Sequence, residues 1–171
     1  LSALLAGGEV KVDAFILPGH VSAIIGMQPY KFLGEEMGVP AVVAGFESLD
    51  ILQALHFIVD QVSTGKSEVA NFYTRVVSED GNKKARDLMY EVYEPCDAQW
   101  RGIGMIPGSG LQLTADYKAF DALDALGIEL KDAPPPPGCK CGNVLKGLMR
   151  PDECPLFGKA CTPAKPVGPC M

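Results

Sequence analysis

Apolar residues come in short blocks along the first three quarters of the chain, and the spacing within each block predicts its element. Val12-Asp-Ala-Phe-Ile-Leu17 closes on Pro18-Gly19-His20 and reads as a buried strand ending in a turn. Val21 to Gly26 and Tyr30 to Met37 follow as helical pieces broken around Pro29. Pro40-Ala-Val-Val-Ala-Gly45 reads as a second buried strand, with proline tolerated at its first position. From Ser48, a good N-cap, Ile51, Leu52, Leu55, Ile58 and Val59 recur at helical spacing until Gly65 stops the run.

Phe72 to Val77 predicts a third strand, with Tyr73, Arg75 and Val77 alternating against Thr74 and Val76. Glu79-Asp80-Gly81-Asn82 turns the chain, and Ala85, Leu88, Met89 and Val92 then mark one face of a helix. Gln99 to Ile106 predicts a fourth strand, ended by Pro107-Gly108. Residues 114–126 predict a helix with Tyr117, Phe120, Leu123 and Leu126 along one side. Strand and helix alternate through residues 10–126, the signature of an α/β fold with a doubly wound, mostly parallel sheet.

Beyond that point the composition changes. Residues 132–171 hold nine of the 14 prolines and five of the six cysteines, with Pro134 to Pro137 as a stiff extended spacer. A boundary therefore falls near Lys131, dividing an α/β domain over 1–131 from a small Cys/Pro-rich module over 132–171. The whole chain has 171 residues, 47% of them hydrophobic and 21% charged, enough for one ordinary core with an appendage. A formal net charge of −6 with scattered Lys and Arg argues against nucleic acid as a partner. No apolar run is long enough for a membrane span, and the start lacks the basic n-region of a signal peptide. Both ends stop abruptly, so the chain reads as a fragment of a longer protein.

The thiols carry the strongest chemical signal. Cys139, Cys141, Cys154, Cys161 and Cys170 lie in a turn-rich segment that cannot build a core of its own and needs an external organiser. Proline- and glycine-rich backbone that can wrap an anionic core and aim N–H groups at its sulfurs suits an iron–sulfur cluster. Zinc would also accept four thiolates, although Cys139-Lys-Cys141 is short for a zinc knuckle. Disulfides remain a third option, disfavoured by the one-ended clustering and the α/β pattern.

His20 follows the first strand and Glu47 and Asp50 follow the second, where an α/β sheet of this kind places its ligand crevice. A carboxylate there can orient an imidazole, or the two can bind metal or move a proton. The plainer reading gives His20 a turn hydrogen bond and leaves the acids to stabilise the first turn of the next helix. His56 reads as a partly buried packing residue, Cys96 as a small buried one, and Arg101 as a surface ion-pair former.

Pro18-Gly-His-Val-Ser22, Gly45-Phe-Glu-Ser-Leu-Asp50, Trp100-Arg-Gly-Ile-Gly104 and Cys139-Lys-Cys-Gly…Cys154-Pro-Leu-Phe-Gly-Lys-Ala-Cys161-Thr-Pro together resemble the HypD-type [NiFe]-hydrogenase maturation proteins, in their second half. The resemblance implies a cytoplasmic scaffold rather than a free-standing enzyme. It implies assembly of an Fe(CN)₂CO unit with a HypC-type chaperone, cyanide arriving from a HypE-type partner, and a redox-active [4Fe-4S] cluster. Cys154 and Cys161, then Cys139, are the implied cluster ligands, with Cys141 or Cys170 as alternates for the fourth. The family's own fourth ligand is expected just beyond Cys170, and its iron-carrying and redox cysteines lie in motifs absent here. His20 and Glu47 gain weight as functional residues because both lie in motif stretches. Two other readings stay open: an α/β partner-docking domain with a zinc-stabilised tail, and an oxidoreductase with a Cys139–Cys141 couple.

Overall fold

The computed structural model describes residues 1–6, 9–129 and 136–171. They form two compact units, one of residues Val12–Tyr90 and one combining Leu1–Lys11 with Glu91–Met171. The boundary expected near Lys131, and half of the proline spacer, lie outside the described residues.

After the short helix α1 (Ser2–Ala6), the Val12–Tyr90 unit begins with β1 (Phe15–Pro18), α2 (Gly19–Ile25) and α3 (Phe32–Glu35), the helices separated by a 3₁₀ turn over Gln28–Tyr30. Then come β2 (Ala41–Ala44), α4 (Ser48–Thr64) and β3 (Val69–Asn71). The three strands are parallel in the order β1-β2-β3, with Phe15 opposite Ala41, Pro18 opposite Ala44 and Val43 opposite Asn71. β2 is the middle strand and all four of its residues are buried, which is why it reads as an unbroken apolar run. Pro18 ends an outer strand, where its missing N–H does least harm. The order runs one way without a reversal among the described strands, so this unit supplies one winding of the expected α/β sheet.

α4 packs on β2 through a face the periodicity does not pick out. Asp50, Ala54 and Gln61 are its buried residues, with Phe57 and Ile58 against the Val42–Ala44–Ala54 core. Leu52, Leu55 and Val59, expected to face inward, are exposed. Ala54 brings the helix backbone close to the strand, and buried Gln61 is satisfied because its side-chain oxygen accepts the Glu68 N–H at 3.0 Å.

Two strand expectations are corrected. The third strand is Val69–Asn71 and not 72–77. Asn71 ends it, since its side-chain oxygen accepts the Tyr73 N–H at 2.9 Å while its amide donates to the Val77 carbonyl at 2.8 Å. That pair of bonds bends residues 72–77 into a turn, a local alternative to the ladder that Asn favours.

The fourth expected strand, 99–106, is instead the turn of an antiparallel hairpin with the adjoining ends of both its strands. After α5 (Lys83–Val92), β4 (Tyr93–Trp100) and β5 (Gly104–Leu113) pair, among the described residues, with each other alone. Pro107-Gly108 does not end β5. Cys96 faces Gly110 and Ala98 faces Ile106, so residues 107–109 bulge opposite Asp97, whose carboxylate accepts the Gly108 N–H at 2.8 Å. In a two-stranded ribbon every strand is an edge, so prolines fit. The helical expectation for 114–126 resolves into a 3₁₀ turn (Ala115–Phe120) and α6 (Ala122–Leu126), divided at Asp121, whose carboxylate caps α6 through the Leu123 N–H.

The cysteine segment belongs to the same unit as the hairpin. It has little regular structure: α7 (Cys141–Leu145), a 3₁₀ turn over Pro151–Glu153, and isolated bridges between Phe157 and Cys161 and between Thr162 and Lys165. Lys11 ties the N-terminal residues to it, donating its N–H to the Lys146 carbonyl at 2.8 Å.

Candidate functional sites

Two sites emerge, one in each unit. The first lies at the C-terminal edge of the parallel sheet. The register that sets Pro18 opposite Ala44 delivers His20 and Glu47 to the same edge, as expected. Gly19 and Gly45, the residues just past the two strands, are held in close quarters. A Cβ on Gly19 would come within 2.6 Å of the Ala44 carbonyl oxygen and 2.9 Å of the Tyr73 ring. A Cβ on Gly45 would run into the Asp50 carboxylate and the other side of the same ring.

Around this edge the side chains form a continuous stack. The His20 and Phe46 rings lie 4.2 Å apart at 30° to each other, and Phe46 meets Tyr73 edge-on at 6.3 Å. The Arg75 guanidinium covers the Tyr73 ring at 4.5 Å. Its two outer nitrogens donate to both oxygens of Asp50, at 2.9 and 2.6 Å, and one of them lies 3.6 Å from the Glu47 carboxylate. Asp50 also accepts the Glu47 N–H at 3.4 Å. The Asp50 side chain is only 7% exposed, against 48% for Arg75 and 78% for Glu47. Arg75's hydrogen bonds hold the Asp50 carboxyl below the usual carboxylate range.

Tyr73 and Arg75 were hidden in the sequence, because alternation made them strand residues. Their signal was the turn-former Asn71 just ahead of them. His56, expected to pack, is exposed on α4 beside a groove of about 700 Å³ lined by Leu52, Phe57 and Phe72.

The second site is the cysteine segment. All six cysteines are free thiols; Cys141 and Cys161 are buried, the others half-buried. Cys139 sits beside Cys141, and Gly168 fits against both, since a Cβ there would fall 2.8 Å from the Cys139 sulfur and 3.0 Å from the Cys141 Cβ. The hairpin turn closes the other side: a Cβ on Gly102, which has φ +84°, would stand 3.2 Å from the Cys141 sulfur. A cavity of about 300 Å³ opens between Arg101, Pro136, Cys139 and Cys141. Arg101 therefore lines the thiol segment.

Protonation divides the thiols. Cys154 is held below its ordinary value by the Leu156 N–H, then by those of Lys140 and Phe157. The Val167 N–H donates to the Cys161 sulfur at 3.2 Å. Burial pushes Cys141 and Cys170 up, with Cys139 adding to both shifts and Cys154 and Cys161 to that of Cys170. No group of three or more His, Cys, Asp or Glu among the described residues is arranged to hold a single metal ion.

The chain thus combines a parallel α/β unit with glycine-tightened strand ends and a thiol-rich segment in a second unit. A family model described as "Hydrogenase formation hypA family", HypD, matches residues 1–171, and the chain belongs to that family. It is 44% identical over 165 residues to hydrogenase maturation factor HypD2 of Bradyrhizobium diazoefficiens, covering 96% of this chain and 43% of that protein. It is 45% identical over 163 residues to a putative hydrogenase expression/formation protein of Methanocaldococcus jannaschii, covering 95% of this chain and 45% of the relative. With hydrogenase maturation factor HypD of Rhodobacter capsulatus the identity is 42% over 176 residues, all of this chain and 47% of the relative. The chain thus spans less than half the length of these relatives.

Proposed function

We propose that this chain is the cluster-bearing part of a cytoplasmic hydrogenase maturation factor. It would serve as a scaffold on which an Fe(CN)₂CO unit is assembled with a HypC-type chaperone, cyanide coming from a HypE-type partner. Family membership and the cysteine geometry support the reading. The observation that carries it is the gathering of five unpaired thiols in one short wrap, with backbone N–H groups aimed at Cys154 and Cys161. Anionic cluster sulfurs and thiolates need such donors, and the side-chain-free Gly102 and Gly168 let the backbone come close to Cys139 and Cys141. Cys139, Cys154 and Cys161 would hold a [4Fe-4S] cluster, with Cys141 or Cys170 as the alternate fourth ligand. When bound, the cluster supplies or accepts single electrons.

His20 and Glu47 are the groups proposed to act on the cargo, the imidazole as a proton carrier or iron-facing donor and the carboxylate as its acidic neighbour. The test is anaerobic loading of the gene product with iron and sulfide, followed by visible, EPR and Mössbauer spectra. A cubane signature lost in Cys154→Ser supports the proposal. A colourless protein holding stoichiometric zinc replaces it with a zinc-stabilised docking module.

A further inference from the structure

Five side chains at the sheet edge are linked end to end, and the link starts from the one that is buried. Asp50 is fixed by its place in the first turn of α4 and by the Glu47 N–H. It grips Arg75 with a two-point fork, a geometry that orients a guanidinium as a single hydrogen bond cannot. The oriented guanidinium then has its central carbon over the Tyr73 ring and one nitrogen toward Glu47. Tyr73 backs onto Gly19 and Gly45, so its ring occupies space that any other residue at those positions would fill. Tyr73 in turn meets Phe46 edge-on, and Phe46 stacks on His20. Phe46 is 60% exposed, so water alone would leave it free to change rotamer.

We infer that Tyr73 and Arg75, on the turn that follows β3, are positioning residues for His20 and Glu47. Tyr73 holds the imidazole through Phe46, and Arg75 holds the carboxylate directly. This rests on the reading of His20 and Glu47 as the acting pair. The bland alternative is a staple: Arg75 merely pins the 72–77 turn to α4, and Tyr73 merely fills space. The two differ in what a conservative change does. A staple needs charge and bulk, whereas positioning by ring and fork needs shape. The hydroxyl of Tyr73 enters none of these contacts, so phenylalanine should serve in its place.

The experiment uses the full gene product, expressed in cells lacking their own copy, with hydrogenase formation as one readout. The melting temperature and the His20 ring-proton NMR shifts of the purified variants are the others. Tyr73→Leu is expected to move the His20 resonances as Phe46 loses its backing and to cut hydrogenase formation about tenfold or more. Tyr73→Phe restores both. Arg75→Lys keeps the charge but not the fork, and is expected to lower formation by about tenfold at an unchanged melting temperature. If Tyr73→Leu unfolds the protein, Arg75→Lys carries the test alone. Wild-type formation by a folded Arg75→Lys protein, or unmoved His20 resonances in a folded Tyr73→Leu protein, overturns the inference while His20→Ala and Glu47→Gln still abolish formation. If those two variants themselves form hydrogenase normally, it is the reading of the acting pair that falls.

Discussion

Asp50 shows how one buried residue can organise an exposed site. Its carboxyl is held low by Arg75, so its folded-state pKa lies below the unfolded value of about 3.9. A depressed acid contributes stability above the unfolded pKa and loses it as pH falls through the folded one. Urea melts at pH 7 should therefore show Asp50→Asn less stable than the parent, with the gap closing in acid below about pH 3.9. A gap that stays constant across that window would mean the pair contributes nothing through charge. The thiols allow a second residue-scale expectation. In the metal-free, reduced protein, Cys154 should alkylate fastest as pH rises, because its N–H donors favour the thiolate. Cys141 and Cys170 should lag, because burial favours their neutral form. Peptide mapping after timed iodoacetamide pulses reads the order directly.

At the scale of elements, the strand ends decide where function can sit. Gly45 and Gly19 let Asp50 and Tyr73 come up against the backbone. Gly45→Ala should thus cost about 1–3 kcal/mol, the usual penalty for overpacking a tight contact, and should disturb the Asp50–Arg75 fork. Calorimetry with a crystal structure of the variant checks both parts. Gly19 was legible in the sequence as a turn residue and Gly45 as the end of an apolar strand run, and β1, β2 and α4 were legible as apolar blocks. The turn at 72–77 was not, because Tyr73, Arg75 and Val77 alternate as a strand does. Only the two side-chain bonds of Asn71 override that pattern. The β4–β5 hairpin was not legible: residues 99–106 read as a single strand ended by Pro107-Gly108, whereas the chain turns at 101–103 and continues as β5 through Pro107. The bulge opposite Asp97 takes in that proline.

For the molecule as a whole, the two units meet different demands. The Val12–Tyr90 unit carries a conventional core between β2 and α4. The cysteine segment has short helices, and its buried residues include Cys141 and Cys161 themselves. A ligand that binds only the folded form adds its binding free energy to stability. Removing the proposed cluster by anaerobic oxidation should accordingly speed amide exchange across residues 136–171 and leave β1, β2 and α4 protected. Equal protection with and without iron would separate the fold of the segment from any metal. No helix among the described residues is long and apolar enough to cross a membrane.

The sequence by itself determined that apolar strand and helix blocks precede a thiol-rich segment, because block hydrophobicity and cysteine clustering are local properties, and its motif stretches carried the family resemblance. It also placed His20 and Glu47 past adjacent strand ends, since parallel pairing brings such ends to one edge. Only the tertiary structure decided that α4 buries Asp50, Ala54 and Gln61 while its leucines face outward. It alone brought Tyr73 and Arg75 from a third loop onto that edge. Those outcomes depend on which surfaces approach closely enough to exclude water, a property of packed neighbours that no stretch of chain carries alone.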